Sequence, residues 1–456
     1  MRRVIICGAF ALMSPTGALA DAYLVLPDGT GDFPTIQAAI DACQDGDTVL
    51  LSDGTFRGPG NRDLHYGGKA LIVRSENGIP AACILDCEGS EGDPHRGVSF
   101  VENETSMSIL KGITITNGWV GGSGWTGVGA GVFCENSAPT IEECVFRNNA
   151  ARGGGGAACH FIGNATFVRC TFEGNEAYYA SAGGGFYCYT SAPVLIGCVF
   201  IANVPNGLYS NGGCWLTLRE CEFSGHSRYG FGCDDGNFFL DTCWFHENSG
   251  PGLRSIGGIM EMSSCAFWNN HAAEGSAMYL DRDFAGTIVD CLIYDNTADS
   301  GGTIRCGTSS PTFANCTITR NSGGSTASGI DCGSGTVAFQ NTIIAFNQGG
   351  RAISGNAALS CCDIFGNPGG DWVGDIADQY GVNGNISGDP LFCDPEQSDF
   401  TLDADSPCAP FSPPNPECDL IGSESVACGG PTACEDEHGR ETTWGGMKAL
   451  FRGDAK

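Results

Sequence analysis

One six-residue pattern, C-x-F-x-x-N, occurs three times between residues 144 and 203, as Cys144-Val-Phe-Arg-Asn-Asn149, Cys170-Thr-Phe-Glu-Gly-Asn175 and Cys198-Val-Phe-Ile-Ala-Asn203. Further copies, with Phe or Ile in third place, begin at Cys243, Cys265, Cys291, Cys316 and Cys362, and two imperfect copies have His226 for the asparagine and Asn341 for the cysteine. Successive copies are 26, 28, 23, 22, 22, 26, 25, 25 and 21 residues apart. A period of this length indicates a repeat array.

The residue types in the pattern explain how the copies stack. Cys and Phe lie two residues apart, so both side chains face the same side of a strand. Coils stacked about 4.8 Å apart place like on like in ladders through one elongated core. We expect the closing asparagine to adopt a left-handed conformation and to hydrogen-bond to the coils above and below. The period is too short for a β-propeller blade, which needs about forty residues.

A second signal precedes many copies of the first: a glycine, two residues and a cysteine, as in Gly156-Ala-Ala-Cys159, Gly185-Phe-Tyr-Cys188 and Gly230-Phe-Gly-Cys233. The next repeat cysteine usually follows after ten or eleven residues. Each coil therefore contains a Gly-led strand, a short turn and a second strand. The fold predicted is all-β, a single right-handed parallel β-helix.

Several segments resemble known families. Asp28-Gly-Thr-Gly-Asp-Phe-Pro-Thr-Ile-Gln-Ala-Ala-Ile-Asp41 resembles the first coil of the pectate-lyase-like β-helix superfamily, and Gly388-Asp-Pro-Leu-Phe392 resembles the last coils of many such secreted proteins. The paired Gly-Gly and Phe-x-x-Asn signals resemble the repeats of chlamydial polymorphic outer-membrane proteins. These resemblances imply a β-helix over nearly all of the chain but no single activity, because one fold hosts many functions.

The chain divides into five parts. Residues 1–20 read as a secretory signal peptide, with Arg2 and Arg3, a short apolar stretch and a small-residue cleavage site. Residues 21–46 form an N-terminal cap whose short helix Thr35 is expected to N-cap, and residues 47–390 form the β-helix. Residues 391–430, rich in Cys and Pro, are expected to cover the other end. The polar tail, residues 431–456, is either a docking peptide or a frayed terminus.

Composition limits the partners. The chain carries 52 acidic against 22 basic side chains, a formal net charge of −30. This charge repels phosphate backbones, so we expect no nucleic-acid partner. No apolar stretch is long enough for a transmembrane helix, and we expect a secreted or cell-surface monomer. The carboxylates are compatible with bound Ca²⁺ and equally with a solvated acidic surface, and no cofactor is assigned.

The 26 cysteines allow two interpretations. Repeat cysteines are most simply small buried apolar residues in a ladder, although disulfides across each loop are the alternative in an oxidising compartment. The cysteines outside the ladder are better disulfide candidates: Cys393, Cys408, Cys418, Cys428 and Cys434. Their spacing does not suggest a zinc site.

A candidate ligand-binding strip follows from the strand register. The positions one and three after the repeat cysteine point outward, and in three successive coils they hold Trp244, His246, Trp268 and Tyr294. Aromatic faces suit the apolar faces of sugar rings, so the sequence predicts a carbohydrate-binding strip. The alternative is that loops cover these aromatic side chains.

A catalytic hypothesis rests on Asp234 and Asp235 with Arg254 in the next coil. Paired carboxylates suit acid–base work on a glycosidic bond, or could hold Ca²⁺ beside an arginine base. The Gly-His-Gly and Arg-x-Lys signals of polygalacturonases and the Gln-Asp motif of pectin methylesterases are absent. Three functions therefore compete: non-catalytic adhesion or polysaccharide binding, a polysaccharide lyase or glycoside hydrolase, and a structural spacer.

Overall fold

The computed structural model describes residues 20–122, 124–325 and 327–429. Across these ranges the chain winds into stacked coils, and each coil adds a strand to three long sheets. All pairs of neighbouring strands within these three sheets are parallel. The predicted all-β, right-handed parallel β-helix is thereby confirmed. The predicted signal peptide up to Leu19 and the tail at 431–456 lie outside the described residues.

The strands of each sheet follow one another along the rod. The first sheet consists of Ala22–Val25, Thr48–Leu51, Ile72–Ser75, Ile109–Lys111, Thr140–Glu142, Thr166–Val168, Val194–Ile196, Trp215–Arg219, Asn237–Asp241, Ile259–Ser263, Ala285–Val289, Thr312–Ala314, Val337–Gln340 and Ala357–Ser360. The second sheet consists of Gly54–Phe56, Cys83–Asp86, Thr114–Thr116, Val145–Arg147, Thr171–Glu173, Val199–Ile201, Glu222–Ser224, Trp244–His246, Ala266–Trp268, Leu292–Tyr294, Thr317–Thr319, Ile343–Ala345 and Asp363–Phe365. The third sheet consists of Leu64–His65, Val98–Phe100, Val132–Glu135, Ala157–His160, Gly183–Tyr189, Asn206–Asn211, Phe231–Asp234, Leu253–Ile256, Met278–Asp281, Ile304–Arg305, Ala327–Asp331 and Arg351–Ser354.

Smaller elements lie at the corners and ends of the coils. The short strands are Trp119–Val120, Ala150–Ala151, Glu176–Ala177, His271–Ala272, Thr297–Ala298, Phe392–Asp394, Asp399–Asp403 and Val426–Cys428. The helices of the described ranges are the α-helix Ile36–Ala42 and the 3-10 helices Gly124–Gly127, Gly374–Gln379 and Pro395–Gln397.

The core is built from ladders of identical side chains, as the repeat predicts. The ring of Phe172 stacks on that of Phe146 at 4.9 Å between centroids and on that of Phe200 at 4.6 Å, and the stack continues through Phe223, Phe245 and Phe267. These rings are fully buried. Burial and offset packing of aromatic rings are strong stabilising contributions, so the Phe ladder anchors the second sheet to the core.

The asparagine ladder differs from the prediction in one respect. Asn149 donates from its backbone N and its Nδ2 to Asn175 Oδ1, both at 3.1 Å, and Asn175 Nδ2 donates back to Phe146 O at 2.9 Å. The left-handed residue is not this asparagine but the one before it, Asn148 with φ 54°. The ladder asparagine keeps an ordinary backbone because its amide bridges the coils. In the next coils Gly174 and Ala202 take the left-handed position.

The imperfect copy near residue 341 also needs correction. Thr342, not Asn341, occupies the cysteine position, because Ile344 pairs with Ile318 in the second sheet. Its Oγ1 donates to Gln340 O at 2.9 Å, as Cys316 Sγ does to Ala314 O at 3.2 Å. Asn341 is the left-handed residue of the preceding turn, with φ 48°.

The first coil is covered by the predicted helix. Thr35 Oγ1 accepts a hydrogen bond from Ala38 N at 3.2 Å, which satisfies a backbone donor that a helix start leaves free. Ile36, Ala39 and Ile40 are buried against the core. The N-terminal edge of the rod is thus closed to further strand pairing.

The last coil is covered by a different segment from the one expected. Ile376 packs into the core. The side-chain amide of Gln379 accepts a hydrogen bond from Leu359 N at 2.9 Å and donates one to Ala357 O at 2.8 Å. These two hydrogen bonds occupy the free edge of the last strand in the first sheet. Residues 387–429, termed here the C-terminal segment, instead run back over the outer face of the second sheet. Their apolar side chains match the apolar outer positions of its last strands.

The cysteines fall into two groups. The described ranges contain 20 free cysteines, all buried, and burial raises the pKa of ladder thiols such as Cys144 to about 12. The predicted candidates Cys418, Cys393 and Cys428 do form disulfides, Cys361–Cys418 and Cys393–Cys428. Cys408 is free and buried, and Cys434 lies outside the described residues.

Candidate functional site

The outer face of the third sheet carries a row of tyrosines and arginines. In Phe231–Asp234, Phe231 and Cys233 face the core, so Gly232 and Asp234 face outward. The strand register places one outward residue of each coil in line, and we call this line the Tyr/Arg row: Tyr187, Tyr209, Gly232, Arg254, Tyr279 and Arg305. The row runs along the axis of the rod. Tyr187 and Tyr209 are buried, at 7% and 2% exposed, whereas Arg254, Tyr279 and Arg305 are half-buried.

Gly232 leaves room for two neighbours in the row, Tyr209 and Arg254, to contact the carboxylate of Asp234. A Cβ at Gly232 would lie 2.6 Å from Tyr209 Cδ2, so only glycine leaves room for the tyrosine ring. Tyr209 OH donates to Asp234 Oδ2 at 2.5 Å, and Arg254 Nη1 lies 2.7 Å from Asp234 Oδ1. Both oxygens of Asp234 are therefore engaged by neighbours from adjacent coils.

The same contacts fix the protonation of both partners. Burial lowers the pKa of Arg254, but the hydrogen bond and charge of Asp234 raise it by more, so the pKa lies above its ordinary value. Burial, and then the hydrogen bond to Asp234, raise the pKa of Tyr209 well above its ordinary value. Near neutral pH the guanidinium is charged and the phenol keeps its proton. Both groups are hydrogen-bond donors here, not bases.

A groove of about 380 Å³ opens beside Arg254, lined among others by Arg228, Tyr229, Glu274 and Tyr279. The Tyr229 ring is flanked by two guanidinium groups, with Arg228 Cζ at 4.5 Å and Arg254 Cζ at 5.3 Å from its centroid. Arg305 pairs with Glu274 and its Nη1 also lies 3.1 Å from Tyr279 OH. The groove thus combines aromatic rings held in place with arginine guanidinium groups, which can bind hydroxyl or carboxylate oxygens.

A second groove of about 250 Å³ lies upstream on the same face, lined by Arg152, Tyr179, Tyr187 and Asn211, among others. Tyr187 OH donates to Asn211 Oδ1 at 3.0 Å. Arg228 Nη1 donates to Ala180 O at 3.0 Å, so the loop beside the second groove is linked to the first one. Together the two grooves and the row between them form the third-sheet face.

Asp235 does not join Asp234 on this face. It is exposed and left-handed, with φ 53°, in the turn that leads to the first sheet, and its amide N donates to Ile256 O at 2.8 Å. Its carboxylate lies over Gly257, where an added Cβ would be 2.6 Å from Oδ1. The chain therefore brings Asp234 and Arg254 together but points Asp235 into a corner of the coil.

The predicted aromatic strip lies on the outer face of the second sheet, where its rings stack on one another. The centroid of His246 is 4.3 Å from that of Trp268, and Trp268 is 6.0 Å from Tyr294, with planes within 10°. Trp244 and Trp268 are partly buried, and Phe400 of the C-terminal segment packs on Tyr294 at 5.1 Å. Stacked rings offer their edges to solvent rather than their faces. The alternative of covered aromatics holds at Tyr294, which is 3% exposed.

The histidines are separate from Asp234. His226 is fully buried in the asparagine ladder, where its Nδ1 accepts from Asn203 N at 3.0 Å. His246 Nε2 lies 3.0 Å from Glu222 Oε1 on the second sheet. Within residues 20–122, 124–325 and 327–429, three or more His, Cys, Asp or Glu side chains do not come together in a group that could hold a metal ion.

The tyrosines of the third-sheet face were not predicted from the sequence. Their signal is the position just before the cysteine in the glycine-led pattern, as in Gly185-Phe-Tyr187-Cys188, and its counterparts Tyr209, Arg254, Tyr279 and Arg305 in the following coils. That position always faces outward because the cysteine faces the core. Reading it coil by coil would have revealed the row.

Comparison with known proteins identifies the family. The family model for a right-handed β-helix region matches residues 60–239 and 233–386, and the chain belongs to this family. A metabotropic glutamate receptor-like protein R of Dictyostelium discoideum is 26% identical over 207 residues, which are 45% of this chain and 12% of that protein. The chain thus matches only a small part of that relative.

Several solved structures are similar to the chain at low sequence identity. Pectate lyase Pel9A is 14% identical over 90% of this chain and 97% of its own, with a TM-score of 0.45. The catalytic unit of a GH87 α-1,3-glucanase from Streptomyces thermodiastaticus is 10% identical over 82% of this chain and 68% of its own, with a TM-score of 0.48. PfbA, a surface adhesin of Streptococcus pneumoniae, is 10% identical over 74% and 85%, with a TM-score of 0.34. The resemblance to chlamydial proteins stays a prediction.

Within the described part of the chain, helices long and apolar enough to cross a membrane are not found.

Proposed function

We propose that this protein is a secreted, non-catalytic polysaccharide-binding protein whose ligand lies along the third-sheet face. The observation that carries the proposal is the Tyr/Arg row with a groove at each end. Rungs about 4.8 Å apart place the half-buried Arg254, Tyr279 and Arg305 in line, and a sugar chain repeats apolar ring faces and hydroxyl groups along a line. Clustered aromatic rings with a few fixed polar groups are typical of ligand sites.

The protonation of the face favours binding over catalysis. A lyase needs a base beside the sugar, yet Arg254 is held charged and Tyr209 is held neutral by Asp234. A glycosidase needs two carboxylates across one bond, yet Asp235 turns away from Asp234. We therefore give the lyase or hydrolase alternative second place and assign Asp234 to holding Arg254 and Tyr209 in position.

We assign the strip of Trp244, His246, Trp268 and Tyr294 to packing. A sugar ring stacks on an aromatic face, but His246, Trp268 and Tyr294 stack on one another and Trp244 is partly buried. The proposal of a secreted location rests on the N-terminal residues 1–20 and is supported by the two disulfides, which persist in oxidising compartments.

A binding experiment tests the proposal. Wild-type protein, Tyr279→Ala and Arg228→Ala are titrated by calorimetry with a panel of neutral and uronate polysaccharides. We expect the panel to contain a ligand for wild type and expect each variant to bind it about tenfold more weakly, since each loses one anchor worth about 1–2 kcal/mol. Trp215→Ala, which removes a 64% exposed aromatic residue of the first sheet, is the matched control and should bind like wild type.

The same panel separates binding from catalysis. Prolonged incubation of wild type with each polysaccharide should release neither new reducing ends nor unsaturated products. Release of either that disappears in Asp234→Asn would replace the proposal with the enzyme alternative. An equal loss of binding in Trp215→Ala would contradict a ligand site on the third sheet. If wild type binds no glycan of the panel, the proposal fails and the structural-spacer function is favoured.

A further inference from the structure

The C-terminal segment covers an apolar surface of the second sheet. Ile343 and Ala345 face outward from their strand, and Leu402, Cys408 and Ile421 of the segment pack on them. Further along, Phe400 covers Tyr294 and Phe392 packs on Phe400 at 5.3 Å. The outer face of the second sheet beneath the segment is thus apolar, and it is buried only while the segment is docked.

Polar contacts between the segment and the sheet are few and mostly through backbone atoms. Gly422 N donates to Asn341 O at 2.8 Å and Ser423 N donates to Thr317 Oγ1 at 3.0 Å. Arg320, which pairs with Asp295 at 2.9 Å, also donates to Pro395 O. The disulfide Cys361–Cys418 fixes one point of the segment to the last coil, so opening elsewhere leaves the segment attached.

A buried carboxyl group lies at the interface. Asp363 is fully buried on the last strand of the second sheet, and its partners are two groups of the segment: Gly388 N donates to Oδ1 at 2.9 Å and Cys408 Sγ to Oδ2 at 3.2 Å. Across the described residues, no Lys, Arg or His nitrogen lies within 4.0 Å of this carboxyl group. The other charged groups near it are Asp371 and Asp389, both acidic. A buried carboxylate without a cation is costly.

We propose that the C-terminal segment is a tethered cover that stays docked on the second sheet while Asp363 is protonated and opens when Asp363 ionises. Opening uncovers the apolar side chains of Tyr294, Ile343 and Ala345, and the disulfide to Cys361 returns the segment to the same place on acidification. The device goes beyond the proposed polysaccharide binding, which uses a different sheet.

The direction of the pH response follows from the environment of the carboxyl group. Burial raises the pKa of Asp363 to about 7, although the amide of Gly388 and the thiol of Cys408 act in the opposite sense. A second carboxyl of the segment, Glu424, also has its pKa raised to about 7, by burial and then by Asp399. A group whose pKa is raised by docking favours the docked state fully below about pH 4, and this contribution is lost as the pH rises to about 7.

Hydrogen exchange measured by mass spectrometry tests the cover. Peptides from residues 387–429 are compared at pH 5 and pH 8 with a core peptide that contains Val199–Ile201, which corrects for the intrinsic pH dependence. With a docked pKa of about 7 and an ordinary value of about 3.9 after opening, Asp363 alone should give about a hundredfold more opening at pH 8 than at pH 5, and Glu424 should increase this ratio further. Equal protection at the two pH values would overturn the proposal with wild type alone.

Variants separate the contributions of the two carboxyl groups. Asp363→Asn keeps the shape and removes the charge, so the ratio of opening at pH 8 to that at pH 5 should be about a hundredfold smaller than in wild type. The response that remains belongs to Glu424 and should disappear in the double variant Asp363→Asn/Glu424→Gln. Glu417→Gln, an exposed position in the same segment, should respond to pH like wild type. If Asp363→Asn folds but its opening responds to pH as strongly as that of wild type, Asp363 is not the switch and the proposal fails. The readout needs no glycan, so it is independent of the polysaccharide experiment.

Discussion

Single residues decide the two sharp corners of each coil, because each corner needs one residue in the left-handed region. Between the second and third sheets the position is occupied by Asn148, Gly174, Ala202 and Gly225 in successive coils. Asparagine and glycine adopt this conformation readily, whereas a Cβ without a polar group makes it costly. Ala202, with φ 51°, is therefore a strained choice between two glycines.

Ala202→Gly should stabilise the protein. Removing the Cβ relieves a left-handed cost of about 1–2 kcal/mol, partly offset by the greater freedom of glycine in the unfolded chain, so the free energy of unfolding should rise by about 0.5–1 kcal/mol. Urea unfolding followed by circular dichroism measures the change. Ala150→Gly, in the strand Ala150–Ala151, is the control and should lower stability. A loss of stability in Ala202→Gly would refute the strain argument.

The sequence predicted which residues face the core but not which one turns the corner. Cys144 and Phe146 face inward because the two-residue period of a strand leaves no other choice. The left-handed conformation was predicted for Asn149 but belongs to Asn148. The two positions could not be distinguished because both are asparagine, which suits a left-handed turn as well as a side-chain hydrogen bond between coils. Only the coordinates distinguish the two roles.

The asparagine ladder behaves as one element, and His226 is its weakest member. Each regular asparagine links its coil to the next by two hydrogen bonds, as Asn270 does to Asn296 Oδ1 at 3.1 and 2.9 Å. His226 accepts from Asn203 N, but its buried Nε2 lacks a hydrogen-bond partner. Burial lowers the pKa of His226 to about 3, so the ring is neutral in the folded protein.

His226→Asn should make the protein more resistant to acid. In the unfolded chain the histidine takes up a proton below about pH 6.5, while the folded ring does not until about pH 3, so wild type loses stability as the pH falls through this window. At pH 4.5 the loss from this residue amounts to about 2–3 kcal/mol. Urea unfolding at pH 7.5 and 4.5 should show a smaller decrease for the variant. Equal decreases would mean that His226 is not the acid-sensitive link.

At the level of strands, the sequence predicted part of the candidate site. Asp234 and Arg254 were predicted to be neighbours in adjacent coils, and they form an ion pair. Tyr209 and Tyr279 were missed because they belong to copies in which another residue replaces the cysteine of the glycine–cysteine signal. The covering of Tyr294 by Phe400 joins residues more than a hundred positions apart. Contacts between a repeat and a non-repeating segment have no periodic signal in the sequence.

On the scale of the whole molecule, the third-sheet face is a long surface rather than a closed pocket. From Tyr187 to Tyr279 the row spans four coil steps, or about 19 Å. The two grooves lie at its two ends. The formal net charge of −30 repels anionic ligands at long range. Long-range attraction therefore does not select an anionic ligand, and its specificity has to come from direct contacts along the row.

Affinity should therefore depend on the length of the ligand. Oligosaccharides of the polysaccharide that binds wild type, sorted by size, should bind more tightly as their extended length approaches about 19 Å and then reach a plateau. Calorimetry over the size series measures this. Binding of a monosaccharide as tight as that of the polymer would indicate a single pocket and would contradict the extended site.

The buried cysteines impose a condition on how the protein is made. Twenty thiols are shielded from oxidants once the coils are stacked, yet all of them are accessible while the chain is still unfolded, and parallel sheets with distant pairings form slowly. In an oxidising medium, formation of wrong disulfides competes with coil stacking for the same chains. The yield of native protein is thus set by the ratio of two rates, so a slower-folding variant forms more mispaired chains even when its final stability is unchanged.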